Sequence, residues 1–193
     1  MSKYSARIEK SEISTMPTVN FDGRIITIDT VEATDKAIQA LSGEKILGID
    51  TETRPSFKKG VNHKVSLIQL STATTCFLIR LNRVDIPDSL VSLLENEKIT
   101  KVGISLHDDS QALCKRRKFE PAGFLDLQKY VKEFGIEEMS LQKIFAIIFG
   151  ERISKSQQLS NWENDVLTDK QKLYAATDAW ACLKIYNQLE QTK

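Results

Sequence analysis

The stretch "KILGIDTE", residues 45–52, decides how the rest of the chain is read. It reads as a buried strand that ends in acids. Side chains alternate along a strand, so Asp50 and Glu52 leave its carboxyl end on one face. Two carboxylates that close raise each other's pKa unless a cation neutralises them. Mg²⁺ or Mn²⁺, hard ions that prefer carboxylate oxygens, meet that need. Taken alone, the tripeptide is more simply the place where a strand leaves the core.

Outward from this strand, the pattern alternates. Before it, "RIITI" (24–28) reads as a short strand, and "TVEATDKAIQALSG" (30–43) as a helix that Thr34 or Asp35 could cap. Residues 1–22 are polar without sustained periodicity and are expected to form a flexible N-terminal arm, with one domain over 23–193. After it, "TRPSFKKGVNHK" (53–64) is an exposed basic loop. "VSLIQLS" and "TCFLIRL" form a hairpin, followed by a helix in "PDSLVSLLENE" (87–97) and a strand in "ITKVGIS" (99–105). "HDDSQALCKRRK" (107–118) begins acidic and ends basic, as the helix macrodipole favours, which accounts for Arg116, Arg117 and Lys118 without nucleic acid. "GFLDLQKYVKEFG" leads from a strand into a helix, and "SLQKIFAIIFG" is a further helix. A long polar loop (151–167) precedes a terminal helix over 168–193, with Thr168 as its cap. Strands early and helices interleaved later suggest an α/β fold, a mixed sheet flanked by helices.

Two further acidic stations stand out. Asp108 and Asp109 follow "KVGISL" and, read alone, cap a helix start. In "KLYAATDAW" (172–180), Tyr174 and Asp178 are four apart and share a helix face. If that face meets Asp50 and Glu52, Asp178 becomes a third ligand and the electrostatic penalty becomes an attraction. Otherwise the pair is a tyrosine hydroxyl bonded to a surface aspartate.

Composition narrows the function classes. Lys and Arg total 27 against 26 Asp and Glu, a net charge of +1, which excludes a broad basic footprint but not a local basic rim around an acidic centre. Cys76, Cys114 and Cys182 are scattered, with no CxxC pair, so neither a disulfide framework nor a structural zinc site is expected. No apolar run approaches the ~20 residues of a membrane span, and the first residues lack the apolar core of a signal peptide. The expected setting is cytoplasmic.

The ordered blocks "GIDTE", "KVSLIQLST", "KVGISLHDDSQAL", "LSNW" and "LTDKQKLYAATDAW" resemble the DEDDy group of 3′–5′ exonucleases, which share a ribonuclease H-like fold. The likeness is nearest to Werner-type exonuclease domains, with ribonuclease D more distant, and runs from about residue 24 to 190. It implies hydrolysis of the terminal phosphodiester of DNA, releasing nucleoside 5′-monophosphates with two Mg²⁺ or Mn²⁺ ions. By match, Asp50, Glu52, Asp109 and Asp178 are the metal ligands, and Tyr174 positions the attacking water. Asp109 is preferred to Asp108 because an apolar residue, Leu113, follows it by four. Thr53 and Ser110 stand where Werner-type domains carry aromatics. The expected partner is nucleic acid with a free 3′ end, DNA favoured over RNA. Arg54, Lys58, Lys59, Lys64 and Lys155 are the candidate phosphate contacts. Phe57 is a candidate base-stacking residue, whereas Trp162 reads first as packing. The runner-up readings are an RNA-trimming enzyme and a non-catalytic nucleic-acid-binding module. No GxxxxGK[ST] phosphate loop is present, "SGEK" at 42–45 being only a fragment of one.

Overall fold

The computed structural model describes residues 3–193. Helix α1 (Lys10–Thr15) precedes β1 (Arg24–Ile28), α2 (Val31–Leu41) and β2 (Ile46–Thr53). Then come β3 (Val65–Ser71), β4 (Thr75–Ile79), α3 (Leu81–Val84), α4 (Asp88–Leu94), β5 (Thr100–Gly103) and α5 (Leu106–Arg116). The last elements are β6 (Phe124–Asp126), α6 (Leu127–Tyr130), a 3₁₀ turn (Val131–Phe134), α7 (Leu141–Phe149) and α8 (Asp169–Glu190). The strands form one mixed six-stranded sheet in the order β1-β4-β3-β2-β5-β6. β3 is antiparallel to both β2 and β4, and the remaining pairs are parallel.

Strand alternation divides the core into two layers. Leu47 and Ile49 of β2 face α2, α4 and α5, packing with Ile38, Leu41, Leu90, Leu94 and Leu113. On the opposite face, Leu67 and Leu78 meet Ala175, Ala176 and Ala179 of α8. α8 is buried on almost every side, which explains its run of small residues. Its start is fixed by a capping box between Thr168 and Gln171, worth about 1 kcal/mol.

Some local expectations shift. Thr30, rather than Thr34 or Asp35, caps α2, accepting a hydrogen bond from the Ala33 amide. Thr34 is buried one turn further in, where its hydroxyl bonds the Thr30 carbonyl. Arg116 and Arg117 do more than balance a dipole: Arg116 pairs with Asp85 at 2.8 Å, and Arg117 donates to the Ile86 carbonyl at 2.6 Å. The stretch expected to be a loose arm packs on the domain. Ile8 and Ile13 bury against Ala146 of α7, the Phe21 amide donates to Thr177 Oγ1 at 3.1 Å, and Thr18 bridges Arg152. Single apolar residues spaced among polar ones carry no periodicity, so only their docking surface reveals them. Residues 1 and 2 lie outside the described residues.

Candidate active site

The site begins with a close approach of two backbones. Gly48, Asp50 and Glu52 alternate onto the α8 face of β2. A Cβ at Gly48 would stand 2.0 Å from the Ala179 carbonyl oxygen, so only glycine admits α8 at this distance. That contact sets the neighbouring Asp178 against the strand end. One carboxylate oxygen from each of Asp50, Glu52 and Asp178 can be chosen so that all lie within 4.8 Å of one another. Glu52 and Asp178 are buried, and Asp50 is half-buried. Tyr174, one turn before Asp178, is hydrogen-bonded to its carboxylate.

Three carboxylates packed this tightly resist ionisation. Burial, then the charges of Asp178 and Asp109, hold Asp50 well above the usual carboxylate range. Glu52 is pushed up to about 10 by burial and then by Asp50, Asp178 and Asp109. Burial lifts Asp178 to about 7, against the opposing Tyr174 hydrogen bond and the Lys155 charge. Burial also raises the Tyr174 phenol, helped by Asp178 and Glu52. A cation would relieve this repulsion, and a donor set made only of carboxylate oxygens fits a hard divalent ion. The cluster is therefore chemically suited to a divalent metal.

Asp109 does not join the trio. It comes from the opposite layer, on the first turn of α5, and its Oδ1 accepts a 2.8 Å hydrogen bond from the Thr51 hydroxyl. Burial raises it to about 6, the Thr51 bond opposing and Asp108 and Asp126 adding to the rise. Asp108 is exposed, so of the two neighbours it is Asp109 that faces β2. The start of α5 is itself held: Ser105 adopts a left-handed backbone (φ 56°), and the Leu106 amide donates to Asp126 Oδ2 at 3.0 Å.

An open cavity of about 260 Å³ lies over the trio. Lys155 lines it, as do Ser140, Gln142 and Gln158, which sequence reading did not single out. Ser140 had shown only as the start of a helix, where it caps α7 by accepting from the Lys143 amide. Thr51 was also missed, because alternation turns it away from Asp50 and Glu52 and only α5 gives it a partner. The other expected phosphate contacts lie outside the cavity lining. Arg54 pairs with Glu163 at 3.1 Å, and Lys58, Lys59 and Lys64 are exposed on the 54–64 loop beside an 84% exposed Phe57. Trp162 is fully buried, its ring centroid 6.1 Å from that of Tyr174, which is the packing role. Gln69, the register partner of Asp50 on β3, is also fully buried, and neither amide atom has a hydrogen-bond partner.

Residues 25–192 match the family model described as 3′–5′ exonuclease. The bifunctional 3′–5′ exonuclease/ATP-dependent helicase WRN of Mus musculus is 32% identical over 95% of this chain, but the match spans only 14% of that protein. A 3′–5′ exonuclease of Arabidopsis thaliana is 30% identical over 90% of this chain and 66% of its own length. Among solved structures, the EXO domain of Aedes aegypti Nibbler superposes with a TM-score of 0.79 at 24% identity, covering 90% of this chain and 91% of that one. Escherichia coli RNase D superposes at 0.77 with 22% identity, covering 88% of this chain and 46% of that one. With its six-stranded mixed sheet and flanking helices, this chain shares the ribonuclease H-like exonuclease fold of these neighbours. With most of its length inside the matched region and its acids gathered at one strand end, the chain belongs to the 3′–5′ exonuclease family.

Proposed function

We propose that this chain is a DEDDy-type exonuclease that removes nucleotides from the 3′ end of DNA as nucleoside 5′-monophosphates, using two Mg²⁺ or Mn²⁺ ions. The convergence of Asp50, Glu52 and Asp178 within 4.8 Å, beside a hydrogen-bonded Tyr174, carries this reading. Asp50, Glu52 and Asp178 would hold one ion. Asp50 and Asp109 would hold the second. When bound, the ions supply an activated water and stabilise the leaving 3′ oxygen.

The chain's own groups set the rest. Tyr174 stays protonated throughout the neutral range, so its hydroxyl acts as a hydrogen-bonding group that orients the attacking water and not as a base. Lys155, at the cavity wall, offers a cation to the phosphate next to the scissile bond. Arg54, Lys58, Lys59 and Lys64 form an outer basic rim that gathers the strand. DNA stands first as what the resemblance to Werner-type exonuclease domains implies, the WRN protein being 32% identical over 95% of this chain. RNA is the second reading, since a fold neighbour is Trypanosoma brucei RNase D in complex with RNA.

A time course on matched DNA and RNA strands, labelled separately at the 5′ and 3′ ends, tests both readings. Laddering from the 3′ end that stops with chelator is expected. Asp50→Asn should abolish it, and normal laddering by that variant refutes the site. Tyr174→Phe should slow turnover while leaving Mn²⁺ binding in place.

A further inference from the structure

A second cavity, about 490 Å³, adjoins the acidic one. The two share Ser140, Gln142 and Lys155 along their common border. The far wall of the second is built by Arg7, Glu9, Lys10 and Ile13, which precede the family-matched region at residue 25. This wall is anchored. Arg7 pairs with Glu137 at 2.9 Å, the Glu137 amide donates to the Ala6 carbonyl at 2.9 Å, and Ile13 is buried against α7.

The charge pattern points along the groove. Lys143 pairs with Glu138 at 2.8 Å, so with Arg7–Glu137 two of its cations are already matched by carboxylates. Glu9 also faces the groove and forms a capping box with Glu12. Lys10 and Lys155 are exposed and form no ion pair among the described residues. Lys155 stands at the junction with the acidic cavity, and Lys10 lies farther out. A strand whose 3′ end sits over Asp50, Glu52 and Asp178 must leave that cavity, and this groove borders it.

We propose that the groove between α1 and the start of α7 carries the single-stranded nucleic acid upstream of the cleaved nucleotide, with Lys10 contacting a backbone phosphate. The inference rests on the exonuclease reading above. The segment outside the family core thereby sets how much an oligonucleotide gains from length.

The test compares a dinucleotide with an eight-nucleotide strand, using the full chain. Lys10→Glu should raise KM for the longer strand about three- to ten-fold, leave kcat within two-fold and leave dinucleotide hydrolysis unchanged. Lys98→Glu, an exposed charge change ahead of β5, should leave both substrates unchanged. Fluorescence anisotropy of a 5′-labelled eight-mer on Asp50→Asn should show the same loss of affinity with Lys10→Glu added, and a weaker dependence on salt. An unchanged KM and affinity for the longer strand, or equal losses with the dinucleotide or with Lys98→Glu, overturns the proposal. A wild-type chain that binds the eight-mer through Lys10 yet cleaves nothing would sink the catalytic reading and leave the groove standing.

Discussion

The acids of this site are held in two different ways. On the α8 side of β2, Asp178 is placed by backbone packing: Gly48 lies against the Ala179 carbonyl, with alanines filling the layer. On the α5 side, Asp109 is placed by one hydrogen bond from Thr51 at the end of a helix whose first residue has a left-handed predecessor. Packing of two main chains has no soft coordinate, because protein interiors are close-packed. A single hydroxyl contact does, being worth about 1 kcal/mol net. The trio should therefore behave as a rigid unit and Asp109 as an adjustable one.

The largest effect tests the rigid half. Gly48→Ala forces a methyl into the Ala179 carbonyl, so α8 must shift. We expect a stability loss of about 3 kcal/mol or more in urea melts, and cleavage reduced by at least about 100-fold. A variant with wild-type melting and turnover would show that the close approach does not set the site.

Next comes the response to pH. Asp178 goes from an ordinary 3.8 to about 7, and Asp109 to about 6. In the folded metal-free chain these groups keep protons that the unfolded chain has lost. Their contribution is therefore fully present below about pH 4 and is lost as pH rises through 6 to 7. The melting temperature without metal should fall by about 5 °C between pH 5 and pH 8. Mn²⁺ should restore it, with the larger gain at pH 8, because ions bind the ionised cluster. A metal-free melting point that rises over this interval, or an equal Mn²⁺ gain at both pH values, would contradict the strained trio.

The adjustable half is probed by Thr51→Val. It removes the hydroxyl that holds Asp109 and keeps the shape of the strand. Cleavage should fall about tenfold, equivalent to ~1.4 kcal/mol, with stability lowered by no more than the ~1 kcal/mol of the hydrogen bond. A stability loss several times larger would make Thr51 a packing residue. The smallest effect concerns Gln69, whose amide is buried without partners beside Asp50. Gln69→Leu should stabilise the chain by about 1 kcal/mol, read from urea melts, since it removes unsatisfied polar atoms. A destabilised variant would mean that the amide is satisfied in solution.

Much of this molecule could be read from one dimension. The strand at 24–28, the β3–β4 hairpin and the capped terminal helix follow from periodicity and end residues, which are local properties. Spacings of two on a strand and four on a helix put Asp50 with Glu52, and Tyr174 with Asp178, on shared faces, while the resemblance to DEDDy exonucleases is what named them as a site. The N-terminal segment was not legible, because Ile8, Ile13 and Phe21 have no pattern until α7 and α8 supply surfaces for them.

Sequence alone therefore drew the elements that bear the acids and paired the acids on shared faces, since both depend on neighbours a few residues away. The fold decided which of them share a volume. It joined Thr51 to Asp109 across 58 positions, set Asp178 beside Asp50 through a glycine's missing side chain, and extended the cavity toward Lys10. Those outcomes depend on distances between segments far apart along the chain, which no local pattern encodes.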